Sequence, residues 1–254
     1  MNKLKLNYTS LSFLPILVCI PLGYQLINNI HFGGFKLFQE FLISAFNPKI
    51  DNEIIITVIK RLNETILIGF FSWLVSIIFG AIFGIISSNI FYKIFNIPNF
   101  FYRIIRFFLT IIRSIHEVVW GIILMQIYGI NFSIGIIAIC IPYIAVNSKV
   151  FAEQLETIDY KSFESINQIN APKFSSLLTL IWNPIINTFK NFGLYRLECS
   201  IRSTVILGLF GIGGIGTSIF LSFQTLNFRE LWTYLWSLAI LIILSGLIFK
   251  KIKF

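Results

Sequence analysis

The sequence predicts an all-α polytopic membrane protein of about six transmembrane helices, and two observations carry that prediction. Of 254 residues, 56% are hydrophobic and 12% charged, with a mean hydropathy of +0.83, a balance outside that of ordinary soluble domains. The apolar residues also fall in runs long enough to cross a hydrocarbon core, which takes about 20 residues of helix.

Five such runs are readable directly: Leu11 to Asn28, Thr65 to Ser87, Ile104 to Ile127, Phe132 to Val150 and Trp232 to Phe249. Lys3 and Lys5 precede the first, but no small-x-small cleavage site follows it. It reads as an uncleaved anchor kinked by Pro15 and Pro21. The chain divides into residues 1–61, an anchor with an outward-facing connection, and 62–254, a core membrane domain. A sixth span is expected from Leu177 to about Arg202. At 100° per residue, Asn183, Asn187, Lys190, Asn191, Glu198 and Arg202 share one face, and Ile181, Ile185, Phe189 and Phe192 lie opposite. Arg196 stands off that polar stripe, at a packing contact or the interface. An apolar glycine-rich segment, Val205 to Phe223, follows.

Lysine and arginine in the connections set the orientation. Eleven lie on the side of the termini and seven on the other, so both termini are expected in the cytoplasm. The net charge of +9 suits anionic headgroups and gives no reason to invoke nucleic acid. Cys19, Cys140 and Cys199 sit in apolar surroundings without metal or redox spacing, and His31 and His116 are far apart. No metal site and no cofactor are expected. A membrane-embedded enzyme would need a nucleophile, base or metal-ligand set, and no such motif is present. A structural subunit of some other complex remains open; ATPase binding discriminates it.

Within the third run stands RSIHEVVWG. On a continuous helix Arg113, His116, Glu117 and Trp120 stand at i, i+3, i+4 and i+7 and share a face, with Thr110 close by. Charges inside a bilayer cost about 2.5 to 3.5 kcal/mol each unless they face a partner or a wet cavity. Two polar faces, this one and that of Glu198 and Arg202, predict a passage between helices. The alternative is that Arg113 and Glu117 are a neutralising pair that only holds helices together.

Between the fourth and fifth spans in chain order lies a charged loop, about residues 153–176, with Glu153, Glu156, Asp159, Lys161, Glu164 and Lys173 interleaved with apolar residues at helical spacing. It reads as a short helix, a turn at Asn170-Ala171-Pro172, and the next helix. Such a loop is either a solvated amphipathic segment or a docking element for a cytoplasmic partner. The run Gly211-Ile-Gly213-Gly214-Ile-Gly216 matches the dinucleotide pattern G-x-G-x-x-G literally, but its surroundings are membrane rather than a βαβ unit.

These segments resemble a known family. The loop is similar to the EAA loop of ABC importer permeases, with Glu164, Ser165, Asn170 and Ala171 at its matching positions and Pro184 at its terminal proline. RSIHEVVW resembles the R-S-I-P-E-L-V-W segment of phosphonate ABC transporter permeases. LNETILIG, FAEQLETID and LYRLECSIRSTVILGLFGIGGIG look like further segments of that family in the same order. The resemblance implies a type I importer permease fold with no catalytic residues. It implies a separate ATP-binding subunit docked on Glu164, Ser165, Asn170, Ala171 and Pro172, a periplasmic substrate-binding protein, and a second permease subunit, as a homodimer in the bacterial inner membrane. It gives Arg113, Ser114, His116, Glu117, Trp120, Glu198 and Arg202 to the translocation pathway. Gly208, Gly211, Gly213, Gly214 and Gly216 become a hinge or gate with backbone N–H groups to offer an anion. Phosphite, phosphate or methionine are alternative cargoes. Asn170 replaces a family glycine, and His116 replaces a family proline, so a kink is expected to be missing there. No P-loop is present, so ATP hydrolysis belongs to a partner.

Overall fold

The computed structural model describes residues 21, 34–158 and 172–252. Apart from residue 21, the first apolar run lies outside these, as does most of the charged loop. The chain separates into two compact units, residues 1–47 and 48–254. In the first, the described helix is α1, Gly34–Ser44.

The second unit is α-helical throughout its described residues: α2 Asn52–Ile86, α3 Asn89–Phe95, α4 Phe100–Ser114, α5 Glu117–Tyr128, α6 Phe132–Glu156, α7 Lys173–Thr188, a π-turn Phe189–Gly193, α8 Leu194–Gly208, α9 Ile215–Gln224 and α10 Phe228–Ile252. Among the described residues α2, α6 and α10 are long and apolar enough to cross a membrane, and α4 with α5 makes a fourth span if the bent pair counts as one. The expected Thr65–Ser87 span is the C-terminal part of α2, which begins at Asn52. The expected Phe132–Val150 span continues to Glu156.

Helices α2 and α6 run parallel and form the centre. Ser72, Ser76, Gly80 and Gly84 recur every fourth residue on α2, and all four are buried, a row of small residues that lets backbones approach. A Cβ on Gly80 would stand 2.4 Å from Asn147 Cβ, and one on Gly84 2.5 Å from Phe151 Cβ. In this seam Asn147 Nδ2 donates to Ser76 Oγ at 3.3 Å and Cys140 Sγ to the Ser72 carbonyl at 3.5 Å, while Asn147 Oδ1 is buried without a hydrogen-bond partner among the described residues. At one end of the bundle, Leu155 of α6 packs with Ile90 and Ile94 of α3 and Leu177 and Ile181 of α7. Leu155 and Phe151, grouped with the charged loop by their spacing, are core residues, each 1% exposed. At the other end, Lys49 N–H donates to the Arg229 carbonyl at 3.1 Å, and Thr233 Oγ1 to the Lys49 carbonyl at 2.7 Å. That joins the start of α10 to the chain entering α2.

The Leu177–Arg202 stretch departs from a uniform helix. Its five-residue π-turn widens the coil, which shifts the phase of everything beyond it. Asn183, Asn187, Lys190, Asn191 and Arg202 are exposed, as the polar face requires. Ile181 is buried at 3%, but Phe189, expected opposite the polar face, is 39% exposed. The buried Trp73 Nε1 donates to the Gly193 carbonyl at 2.7 Å, satisfying an acceptor at the end of the widened turn.

Candidate functional site

The RSIHEVVWG segment is not a continuous helix. It ends α4 at Ser114 and starts α5 at Glu117, and the axes meet at 84°. Ile115 and His116 are extended, at φ −92°, ψ 122° and φ −66°, ψ 146°. The expectation that His116 removes a kink is therefore corrected. Two consecutive extended residues make the bend, and α5 restarts on the His116 carbonyl, which accepts from Val119 N–H at 2.9 Å.

The break also separates Arg113 from Glu117. The shared helical face expected of Arg113, His116, Glu117 and Trp120 does not exist, and no Arg113–Glu117 ion pair forms. Glu117 occupies the first turn of α5, where the helix dipole favours a carboxylate. It is 9% exposed. Its Oε1 accepts from Ser203 Oγ of α8 at 2.6 Å, and Ser203 Oγ lies 2.8 Å from Tyr143 OH of α6. The buried carboxylate thus draws three helices together. His116 Nδ1 lies 3.4 Å from both Val118 N and Glu117 Oε2. A neutral ring accepts the amide with that nitrogen; a protonated ring donates to the carboxylate.

On α8 the expected Glu198–Arg202 pair is formed. Arg196, off the polar stripe in the sequence, packs its guanidinium 3.7 Å over the Tyr143 ring. Its Nε and Nη2 are buried and without a hydrogen-bond partner among the described residues. Trp120 packs on the core formed by Ile68, Ala138, Ile139, Tyr143, Leu207 and Ile212, and its Nε1 is likewise buried and unpartnered among the described residues. Ser114 Oγ is turned back to the Ile111 carbonyl at 2.7 Å. Arg113, at the end of α4, lines a cavity of about 120 Å³ between α4 and α6 with Arg106, Thr110, Lys149 and Glu153.

The glycine-rich segment is a tight reversal between α8 and α9. Gly211, Gly213 and Gly214 have φ of 92°, 123° and 75°, values that disfavour residues with a Cβ. Gly208 and Gly216 are close-packed instead: a Cβ on Gly216 would stand 2.1 Å from the Val205 carbonyl oxygen and 2.9 Å from Gly208 Cα. Two of the amides expected to be open to an anion are occupied. Gly214 N–H donates to Glu64 Oε2 at 3.1 Å and Ile215 N–H to Thr65 Oγ1 at 2.9 Å, both from α2. Glu64 is in turn paired with Arg61 at 2.9 Å. The anion at this helix start is the protein's own carboxylate.

Of the docking residues, Glu164, Ser165, Asn170 and Ala171 lie outside the described residues. Pro172 is exposed and heads α7, its carbonyl accepting from Ser176 N–H at 3.0 Å. Sequence reasoning missed Tyr143 and Ser203 entirely, because contacts spanning 60 and 86 residues leave no local pattern. The Ser72-Ser76-Gly80-Gly84 row was a usable signal.

No family model matches the chain. It is 26% identical over 156 residues to a phosphite transport system permease protein of Stutzerimonas stutzeri, covering 60% of this chain and 57% of that one. It is 25% identical over 123 residues to a phosphate-import permease protein of Mycolicibacterium smegmatis, covering 48% and 23%. It is 28% identical over 94 residues to a protein assigned as a cryptic phosphonate transport system permease of Escherichia coli K12, covering 37% and 77%. The matched regions thus span little more than half of the first relative and about a quarter of the second. Among solved structures, an inward-facing MetNI methionine ABC transporter superposes with a TM-score of 0.68 at 18% identity, over 80% of this chain and 98% of that one. A crystal structure of an amino acid ABC transporter with histidines gives 0.62 at 14%, over 81% and 96%. These likenesses show the fold, the all-α architecture of type I ABC importer permeases.

Proposed function

We propose that this chain, a relative of the binding-protein-dependent ABC importer permeases, is the channel-forming subunit of an importer for a phosphorus oxyanion, phosphonate in the first instance. Permease subunits of this kind are non-catalytic transport components. The observation that carries the substrate class is the recurrence of phosphite, phosphate and phosphonate among the relatives; phosphite and phosphate are the alternative cargoes for the same reason. Guanidinium groups support it: Arg113 and Arg202 offer forks that match tetrahedral oxyanions better than an ammonium does.

On this reading a separate ATPase dimer closes on ATP and pushes through the loop at Glu164, Ser165, Asn170, Ala171 and Pro172. The passage, built by two copies of the chain, then opens to a substrate-loaded periplasmic binding protein. Both termini are cytoplasmic in the inner membrane. Glu117, His116 and Trp120 at the α4–α5 bend, with Glu198 and Arg202 on α8, face or support the passage, and the glycine reversal at 208–216 hinges it. The cation–carboxylate pairing is weak enough to exchange for cargo, as release requires. Uptake of labelled phosphonate, phosphite, phosphate and methionine by the reconstituted complex tests the proposal.

A further inference from the structure

We infer that Arg106, Arg113 and Lys149 form a binding site for a tetrahedral phosphorus oxyanion, either the free anion or a lipid headgroup, in the cavity between α4 and α6. The site rests on the reading above only for its place beside a transport passage; its chemistry comes from the residues.

Arg106, Thr110 and Arg113 stand at i, i+4 and i+7 on α4, so they share a face. Ala145, Lys149 and Ala152 repeat that spacing on α6, and all six line the cavity. Ala145 and Ala152, at 1% and 2% exposed, withhold side-chain volume where the arginines need room. The resulting space of about 120 Å³ holds several waters, enough for one small tetrahedral anion and too little for a nucleotide.

Charge is unbalanced there. The lining holds three cations and one acid, Glu153, which lies 3.4 Å from Lys149. Arg106 is anchored, its Nε donating to the Ser87 carbonyl at 2.8 Å and its other arm paired with Glu156. Arg113 has no ion pair among the described residues. Arg106 and Lys149 are each paired with one acid, Glu156 and Glu153, so Arg113 is the uncompensated charge of the site, and a bound oxyanion neutralises it. Arginine forks supply directed donors to its oxygens, Lys149 adds a point charge, and Thr110 adds a hydroxyl.

The test uses the full chain in nanodiscs. In phosphatidylcholine discs, binding of radiolabelled inorganic phosphate and of methylphosphonate is measured for wild type, Arg113→Gln and Lys149→Gln. In discs containing phosphatidylglycerol, lipid retained through purification is read by native mass spectrometry. Saturable phosphate binding that each substitution weakens about tenfold or more supports the site with a free anion as occupant. Retention of one phosphatidylglycerol that each substitution removes supports it with a headgroup as occupant. Lys149 is half exposed, so Lys149→Gln serves if Arg113→Gln does not fold. Absence of both signals in wild type, or signals unchanged in both variants, overturns the site. A complex that imports methionine alone, yet binds phosphate here, would sink the substrate reading and leave this site standing.

Discussion

The Glu64 carboxylate accepts a hydrogen bond from the Gly214 amide at 3.1 Å across 150 residues of sequence, so one acid on α2 closes the start of α9. Thr65 does the same for Ile215 at 2.9 Å. The reversal between α8 and α9 is thus held from outside by adjacent α2 residues, and from inside by the closeness of Gly208 and Gly216.

Alanine substitutions rank this region. Gly216→Ala meets backbone on two sides, Gly214→Ala combines positive φ with a Cβ 2.6 Å from Thr65 Oγ1, and Gly211→Ala has positive φ with nothing closer than 3.8 Å. Thermal unfolding of the purified chain in detergent should fall in that order. The loss for Gly211→Ala should be about 1 kcal/mol, from backbone strain alone, with both other variants losing more.

A double-mutant cycle separates the expected from the observed partner of Glu117. Glu117→Gln with Ser203→Ala should show a coupling energy of roughly 0.5–3 kcal/mol, as groups in hydrogen-bond contact do. Glu117→Gln with Arg113→Gln should be additive within about 0.5 kcal/mol, because the bend parts them. Chemical unfolding of wild type, the three single variants and the two double variants provides the energies. Strong Arg113–Glu117 coupling would restore the continuous helix.

His116→Pro should be tolerated. Its φ of −66° is that of proline, and Ile115 has the extended backbone a residue before proline adopts. The His116 amide makes no backbone hydrogen bond among the described residues, while the carbonyl that starts α5 is retained. Reduced freedom of the unfolded chain contributes about 0.4–1 kcal/mol of stability, offset in part by the lost Val118 contact. A melting temperature equal to or above that of wild type is expected; a marked drop would contradict the extended bend.

The docking reading predicts that Glu164→Lys leaves the permease inserted and dimeric but separates it from its ATPase. Co-purification measures this, and normal ATPase stoichiometry with undiminished uptake would remove Glu164 from the contact.

Much of the bundle was legible in the chain because burial in lipid demands length and apolarity, which composition reveals: α2, α6 and α10 all lie on apolar runs. The break at Ile115–His116 was hidden, since the apolar runs on either side read as one span and neither residue is a helix breaker. Periodicity placed the polar residues of α7 and α8, but Phe189, the first residue of the π-turn, is exposed where it was expected on the apolar face. The glycine cluster announced a special backbone, but its partners Glu64 and Thr65 could not be read from spacing. Glu117 was singled out as a costly intramembrane acid, yet its donor, Ser203, came from a helix far along the sequence.

The most direct measurement is substrate uptake into proteoliposomes holding the permease dimer, its ATPase and its binding protein, with ATP supplied on the ATPase side. ATP-dependent accumulation of labelled phosphonate is expected, with phosphite or phosphate as competitors and methionine ignored, and a loss of uptake in Arg202→Gln while ATP hydrolysis continues. Accumulation of methionine with no phosphorus oxyanion moved, or no ATP-dependent uptake by a fully assembled complex, would contradict it.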